Sequence, residues 1–200
     1  MTDKKEEVVT QTKLAFDFLQ KLYLEITYLI KEIEGQLSQE DEGFVIGKPS
    51  GYDVTTRNST GIEPYNVSLW LYKKLSVFFV PKEHTQERSG KTITRLGEQM
   101  KILYFRFVLD DNKIQEPIIN FGVLQDFEKK RKSGSDKIEQ LMAYIEDNDT
   151  KVFSREENIH FEDENIVFNG KLLAVNLFDI RSAKDISEKI ISPALEIFRE

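Results

Sequence analysis

Asp110, Asp111, Glu128 and Lys130 are the residue types that a magnesium-dependent phosphodiester hydrolase needs. Two carboxylates hold the metal, and an ammonium orients water or offsets developing charge. Asp126 adds a further acid, and Glu128 and Lys130 stand in an acid-x-lysine order. In a chain that is 32% charged such groupings also arise by chance. Adjacent aspartates, moreover, point to opposite faces of a strand, or satisfy backbone amides in a turn. The hydrolase is therefore the alternative expectation, and the first expectation assigns no catalytic residue.

Other fragments with chemical content are less complete. SGKT, Ser89 to Thr92, has the ending of a phosphate-binding loop, but Thr85 stands where the first glycine belongs. Too few residues then precede Ile102 to build the helix that such a loop requires. Lys129, Lys130, Arg131 and Lys132 form the basic run, suited to an anion or an acidic partner surface. No aromatics are interleaved with it, so stacking on bases is not indicated. The chain has no cysteine and two histidines, His84 and His160, which excludes disulfides, thiolate nucleophiles and a histidine-rich metal site. His160, between Ile159 and Phe161, reads as a strand residue rather than a base. No metal and no cofactor are expected.

Binding residues are expected in one long polar segment and on one strand. Residues 47–64 hold three glycines and two prolines, and a connection this long within a compact domain is commonly functional. Tyr52, Asp53, Arg57 and Asn58 supply its polar groups. Arg106 is the single charge in the aromatic run from Ile102 to Leu109, which places it on a face that meets water or a cleft. The segment 82–94 is expected to be a polar hairpin tip.

The elements that must position these residues are read from apolar spacing. Ala15, Leu19, Leu22, Ile26, Leu29 and Ile33 recur at helical intervals, with Phe18, Tyr23 and Ile30 widening the stripe, so residues 4–37 form one long helix packed across a sheet. Val67 to Val80, Ile102 to Leu109 and Pro117 to Leu124 follow as a three-stranded meander. A helix over Ile138 to Ile145 comes next. Asn169 and Gly170 between Ile166–Phe168 and Leu172–Phe178 read as a type I′ hairpin turn. Ser182 with Asp185 starts a final helix that Pro193 must kink or divide.

The expected fold is a single α+β domain over residues 1–200. A mostly antiparallel sheet of about five to seven strands carries the long N-terminal helix and a C-terminal helix. A formal net charge of −7 argues against a protein that coats nucleic acid. The opening MTDKKEEVVT is no signal peptide, and no long uncharged apolar window exists, so a cytoplasmic location without a membrane span is expected. Many aromatics, two polar loops and no complete catalytic set point to a non-catalytic interaction or ligand-sensing module. Its expected partners are another protein or a second copy of the chain, and a small molecule.

Overall fold

A computed structural model of the chain describes residues 2–47, 55–56, 71–88, 91–94, 100–111, 114–130, 158–162, 164 and 166–200. Helix α1 (Thr2–Leu37) opens the fold, and at 36 residues it is about 54 Å long. The strands follow as β1 (Phe44–Ile46), β2 (Thr55–Thr56), β3 (Lys74–Pro81), β4 (Thr85–Arg88), β5 (Lys91–Thr94), β6 (Ile102–Val108), β7 (Ile118–Lys129), β8 (Asn158–Glu162) and β9 (Ile166–Asn176). The main sheet is antiparallel, in the order β1-β3-β6-β7-β9-β8, with β2 also paired to β3. The expected α+β class and meander are present, with β3, β6 and β7 as consecutive neighbours.

Every residue of β6 is buried, because both faces of the sheet are covered. On one face Val77, Phe79, Leu103, Phe105, Ile119 and Phe121 meet Ile26, Ile30 and Ile33 of α1 and the C-terminal helical segment. On the other, Phe78, Tyr104, Leu124, Phe127 and Phe168 form a second cluster that includes Ile159 and Phe161 of β8. Alternating side chains of one strand thus feed two cores, which is why the run reads as continuously apolar and aromatic.

The C-terminal segment comprises α2 (Ala183–Ile186), a π turn (Ser187–Ile191) and α3 (Ser192–Arg199). Ser182 caps it as expected. Its Oγ accepts from the Asp185 amide at 3.1 Å, while the Asp185 carboxylate accepts from Ser182 Oγ at 2.9 Å and from the Arg181 amide at 3.1 Å. Pro193 follows the π turn, where a wider helical ring tolerates a residue that has no N–H and a bulky ring. Proline therefore divides the segment without ending it.

Several expectations are corrected. Residues Asn169 and Gly170 do not turn; they lie inside β9, and the antiparallel neighbours are β8 and β9. Gly170 is there because a Cβ would come within 2.7 Å of Leu124 Cδ2 and 3.1 Å of the Val123 carbonyl. Close packing, not positive φ, requires the glycine. The segment 82–94 is a 3-10 turn (Lys82–His84) followed by the β4–β5 ribbon, rather than a polar tip alone. Lys91 and Thr92 of SGKT are strand residues, which is incompatible with a phosphate loop opening a helix. Strand β7 sits between β6 and β9. The helix expected over residues 138–145 and the first part of the strand expected from Val67 lie outside the described residues.

The largest correction concerns α1. Side chains from Leu22 onward enter the core, and Tyr23 Oη donates to the Tyr72 carbonyl at 3.0 Å. Residues 4–18 are exposed without exception. Half of the helix is a projecting arm, because the sheet and the C-terminal segment do not extend beneath it.

Candidate functional site

The acids and lysine of the hydrolase expectation are not brought together. Asp110 and Asp111 follow β6 at one end of the sheet, where Lys73 Nζ and Lys74 Nζ each donate to one of them at 2.5 Å. Glu128 pairs in register with Val167 near the opposite end of β7. Ten residues along β7 separate it from Ile118, the partner of Val108, about 30 Å at the rise of an extended strand. Lys130 instead donates to Glu162, and that bond with the adjacent positive charge holds Glu162 below the usual carboxylate range. Among the described residues, no three histidine or acidic side chains are arranged to hold a metal.

Arg106 is fully buried, contrary to the expectation that it meets water or a cleft. Its register partners are Ser76, also buried, and Asn120, so it belongs to a polar row across three strands on the face opposite α1. A guanidinium there needs acceptors around it, which makes it an internal structural charge rather than a surface contact. Tyr52, Asp53, Arg57 and Asn58 lie outside the described residues, as do Arg131 and Lys132. Lys129 closes β7.

A different set of polar groups converges where β7, β9 and β8 run past the end of α3. Between Gln125 and Glu128, β7 carries one residue more than β9, and Asp126 absorbs this bulge at φ +57°. Aspartate tolerates that left-handed conformation better than most residues. The bulge turns Phe127 into the second core cluster. Asp126 Oδ2 accepts from Asn169 Nδ2 at 3.1 Å, and Asn169 Oδ1 lies 2.9 Å from His160 Nδ1. A carboxylate can only accept, so the Asn169 amide nitrogen must face Asp126 and its oxygen must face the imidazole. Nδ1 of His160 is thus placed to donate to the Asn169 oxygen, and Nε2 lies 3.7 Å from Glu162 Oε2.

Beside this line lies a cleft of about 230 Å³, lined by Lys101, Gln125, Asp126, Lys171 and Glu200, with Val123 and Ile197 as its apolar wall. Lys101 Nζ donates to the Phe198 carbonyl at 2.8 Å, and Lys171 Nζ donates to Glu200 at 2.9 Å. Both ammoniums are thus held near α3. The cleft offers charges of both signs and one amide, which suits a small zwitterion or a few ordered waters. The signal for this group was available in outline. Asn158, His160 and Glu162 alternate with Ile159 and Phe161, a period of two that sets three polar groups on one face.

The second candidate is the arm of α1. Leu14, Phe16 and Phe18 are 63%, 61% and 62% exposed, and Val8 and Val9 are exposed beside them. Large apolar groups clustered in this way on one projecting element mark a contact surface, whereas single exposed hydrophobics do not. The arm's polar groups are satisfied locally: Thr12 Oγ1 donates to the Val8 carbonyl at 2.8 Å and Gln11 Nε2 to Glu7 at 3.2 Å. The sequence hint was the width of the stripe, since Phe16 and Phe18 widen it beyond the face that the sheet covers.

No protein-family model, no curated protein and no solved structure matches the chain. Among the described residues no helix is long and apolar enough to cross a membrane.

Proposed function

We propose that this chain is a non-catalytic interaction module of the cytoplasm, which docks onto a protein surface through the arm of α1. The observation that carries the reading is the complete exposure of residues 4–18 with Leu14, Phe16 and Phe18 among them. Keeping these groups in water forfeits about 1.5 to 3 kcal/mol for each that a partner could cover, which is the driving force for docking. A ligand-sensing role attaches to the cleft at Asp126, where a bulge in the left-handed region aims a carboxylate beside two lysines.

The test is site-directed photocrosslinking in the producing cell. A benzophenone side chain at position 16 or 18 is expected to give protein adducts. The same group at Phe178, an exposed aromatic on the domain, serves as the control and gives none. Absence of adducts from positions 14, 16 and 18 would sink the docking reading.

A further inference from the structure

We infer that the cleft between β7, β9 and α3 binds a free α-amino acid with a small aliphatic side chain, its carboxylate on Lys101 and its ammonium on Asp126. This deepens the ligand-sensing role given to the cleft above and rests on it, independently of the arm of α1. The observation that carries it is a pair of opposite charges that line one cleft without pairing. Lys101 Nζ donates to the Phe198 carbonyl at 2.8 Å and lies 5.8 Å from the centre of the Phe198 ring, while Asp126 accepts from Asn169 at 3.1 Å. Among the described residues neither makes an ion pair, with the other or with any third group. Lys171 differs, since Glu200 stands 2.9 Å away as its counter-ion.

The fold keeps these two charges apart and in place. Lys101 stands two residues before Leu103, and Lys171 is level with Val123, so strand alternation sets both on the side of the sheet that α3 covers. A lysine ammonium carries three donors, and the Phe198 carbonyl takes one, which leaves Lys101 able to donate to a carboxylate. Asp126 is the one described residue other than glycine with a positive φ, at +57°. Asn169 occupies its Oδ2 and is itself bonded to His160, so the bulge and this bond fix the carboxylate and leave Oδ1 for a cation.

Charge and size choose the ligand. A simple anion that meets Lys101 also meets the carboxylates of Asp126 and Glu200, and a simple cation on Asp126 lies beside two ammoniums. A zwitterion answers both ends and brings no net charge into the cleft. The volume of about 230 Å³ is below the ~300 Å³ at which pockets for drug-sized molecules begin, which holds the ligand to the size of a single amino acid. Val123 and Ile197 form the apolar wall, against which an aliphatic side chain leaves water.

Valine and its two halves test this in the full chain. At the binding energy per atom of small ligands, valine is expected to shift the backbone NMR signals of Gln125, Asp126 and Lys171 with a Kd on the order of 1 mM. Isovalerate, which lacks the ammonium, and isobutylamine, which lacks the carboxylate, are each expected to bind at least about tenfold more weakly, the effect of one lost hydrogen bond to a charged group. Lys101→Gln is expected to weaken valine about tenfold and leave isobutylamine as in the wild type. Asp126→Asn is expected to weaken valine likewise and leave isovalerate unchanged. Asparagine suits the left-handed bulge, and the thermal midpoint without ligand checks that the fold is intact. A variant that loses all three ligands together, or valine binding that survives both substitutions, overturns the two anchors. Either half binding as tightly as valine overturns the amino-acid assignment and leaves the sensing role in place. No shift at the cleft with valine, isovalerate or isobutylamine sinks both.

Discussion

The two halves of α1 are built from similar residues and live in different solvents. Leu22, Tyr23, Ile26, Ile30 and Ile33 lean on β1, α2 and the π turn, and Gln36 Nε2 reaches the Ala183 carbonyl at 3.2 Å. Val8, Leu14, Phe16 and Phe18 continue the helix into water. The packed half has a surface to meet because Phe44 and the C-terminal segment stand beneath it, and Arg199 locks that surface to the turn after α1. Its guanidinium donates to Glu42 and Glu40 at 3.0 Å, which holds Glu42 below the ordinary carboxylate value. Apolar periodicity thus sets the face of a helix, while the neighbouring layer sets how much of that face is used.

The largest test of this contrast is truncation. Removing residues 1–37 is expected to leave an insoluble or molten remainder. Removing residues 1–18 is expected to leave a folded domain with the same thermal midpoint in dilute solution, where association does not contribute. If both truncations behave alike in calorimetry, the two halves do not differ. Next in size, Ile33→Ala in the packed half is expected to cost about 2 to 5 kcal/mol in urea unfolding, because the side chain is fully buried. A cost under about 1 kcal/mol would show a site that is not core.

A smaller effect is expected at the surface on which the packed half rests. Ser182→Ala removes the cap of the C-terminal segment and is expected to cost about 1 kcal/mol. Hydrogen bonds from Lys189, Ser182 and the Arg181 amide lower the Asp185 pKa from 3.8 to about 2. A depressed carboxylate stabilises the fold above its unfolded value, so this contribution is present at neutral pH and is lost as pH falls from 3.8 through about 2. Carboxyl NMR titration checks it, and a midpoint at the ordinary value would remove the cap from the account. Smallest of all, Phe16→Ser in the arm is expected to change monomer stability by less than about 0.5 kcal/mol, since the side chain is mostly exposed. Likewise, Asp110→Ala breaks only an exposed pair with Lys73 and is expected to leave any magnesium-dependent nuclease signal at background.

Local signals were reliable where neighbours in the sequence are also neighbours in space. Ser182 with Asp185, Pro193 and His160 as a strand residue each read correctly from a handful of residues. Asn169 and Gly170 misled because their turn chemistry is generic, whereas their actual roles depend on Leu124, His160 and Asp126, brought in from other strands. Arg106 misled for the same reason. One charge in an aromatic strand says that the strand has a polar position, but only the second cover layer decides that the position is dry.

The sequence by itself determined the class of the fold, the long helix, the meander and the capped C-terminal segment, because periodicity and capping act over a few residues. It also settled that any chemistry proceeds without cysteine. Only the tertiary structure decided that Glu128 is a sheet's length from Asp110, that a bulge joins Asp126 to Asn169 and His160, and that α1 outruns the domain. Each of these depends on register and on where the sheet stops, and both are set by long-range pairing whose partners lie tens of residues apart.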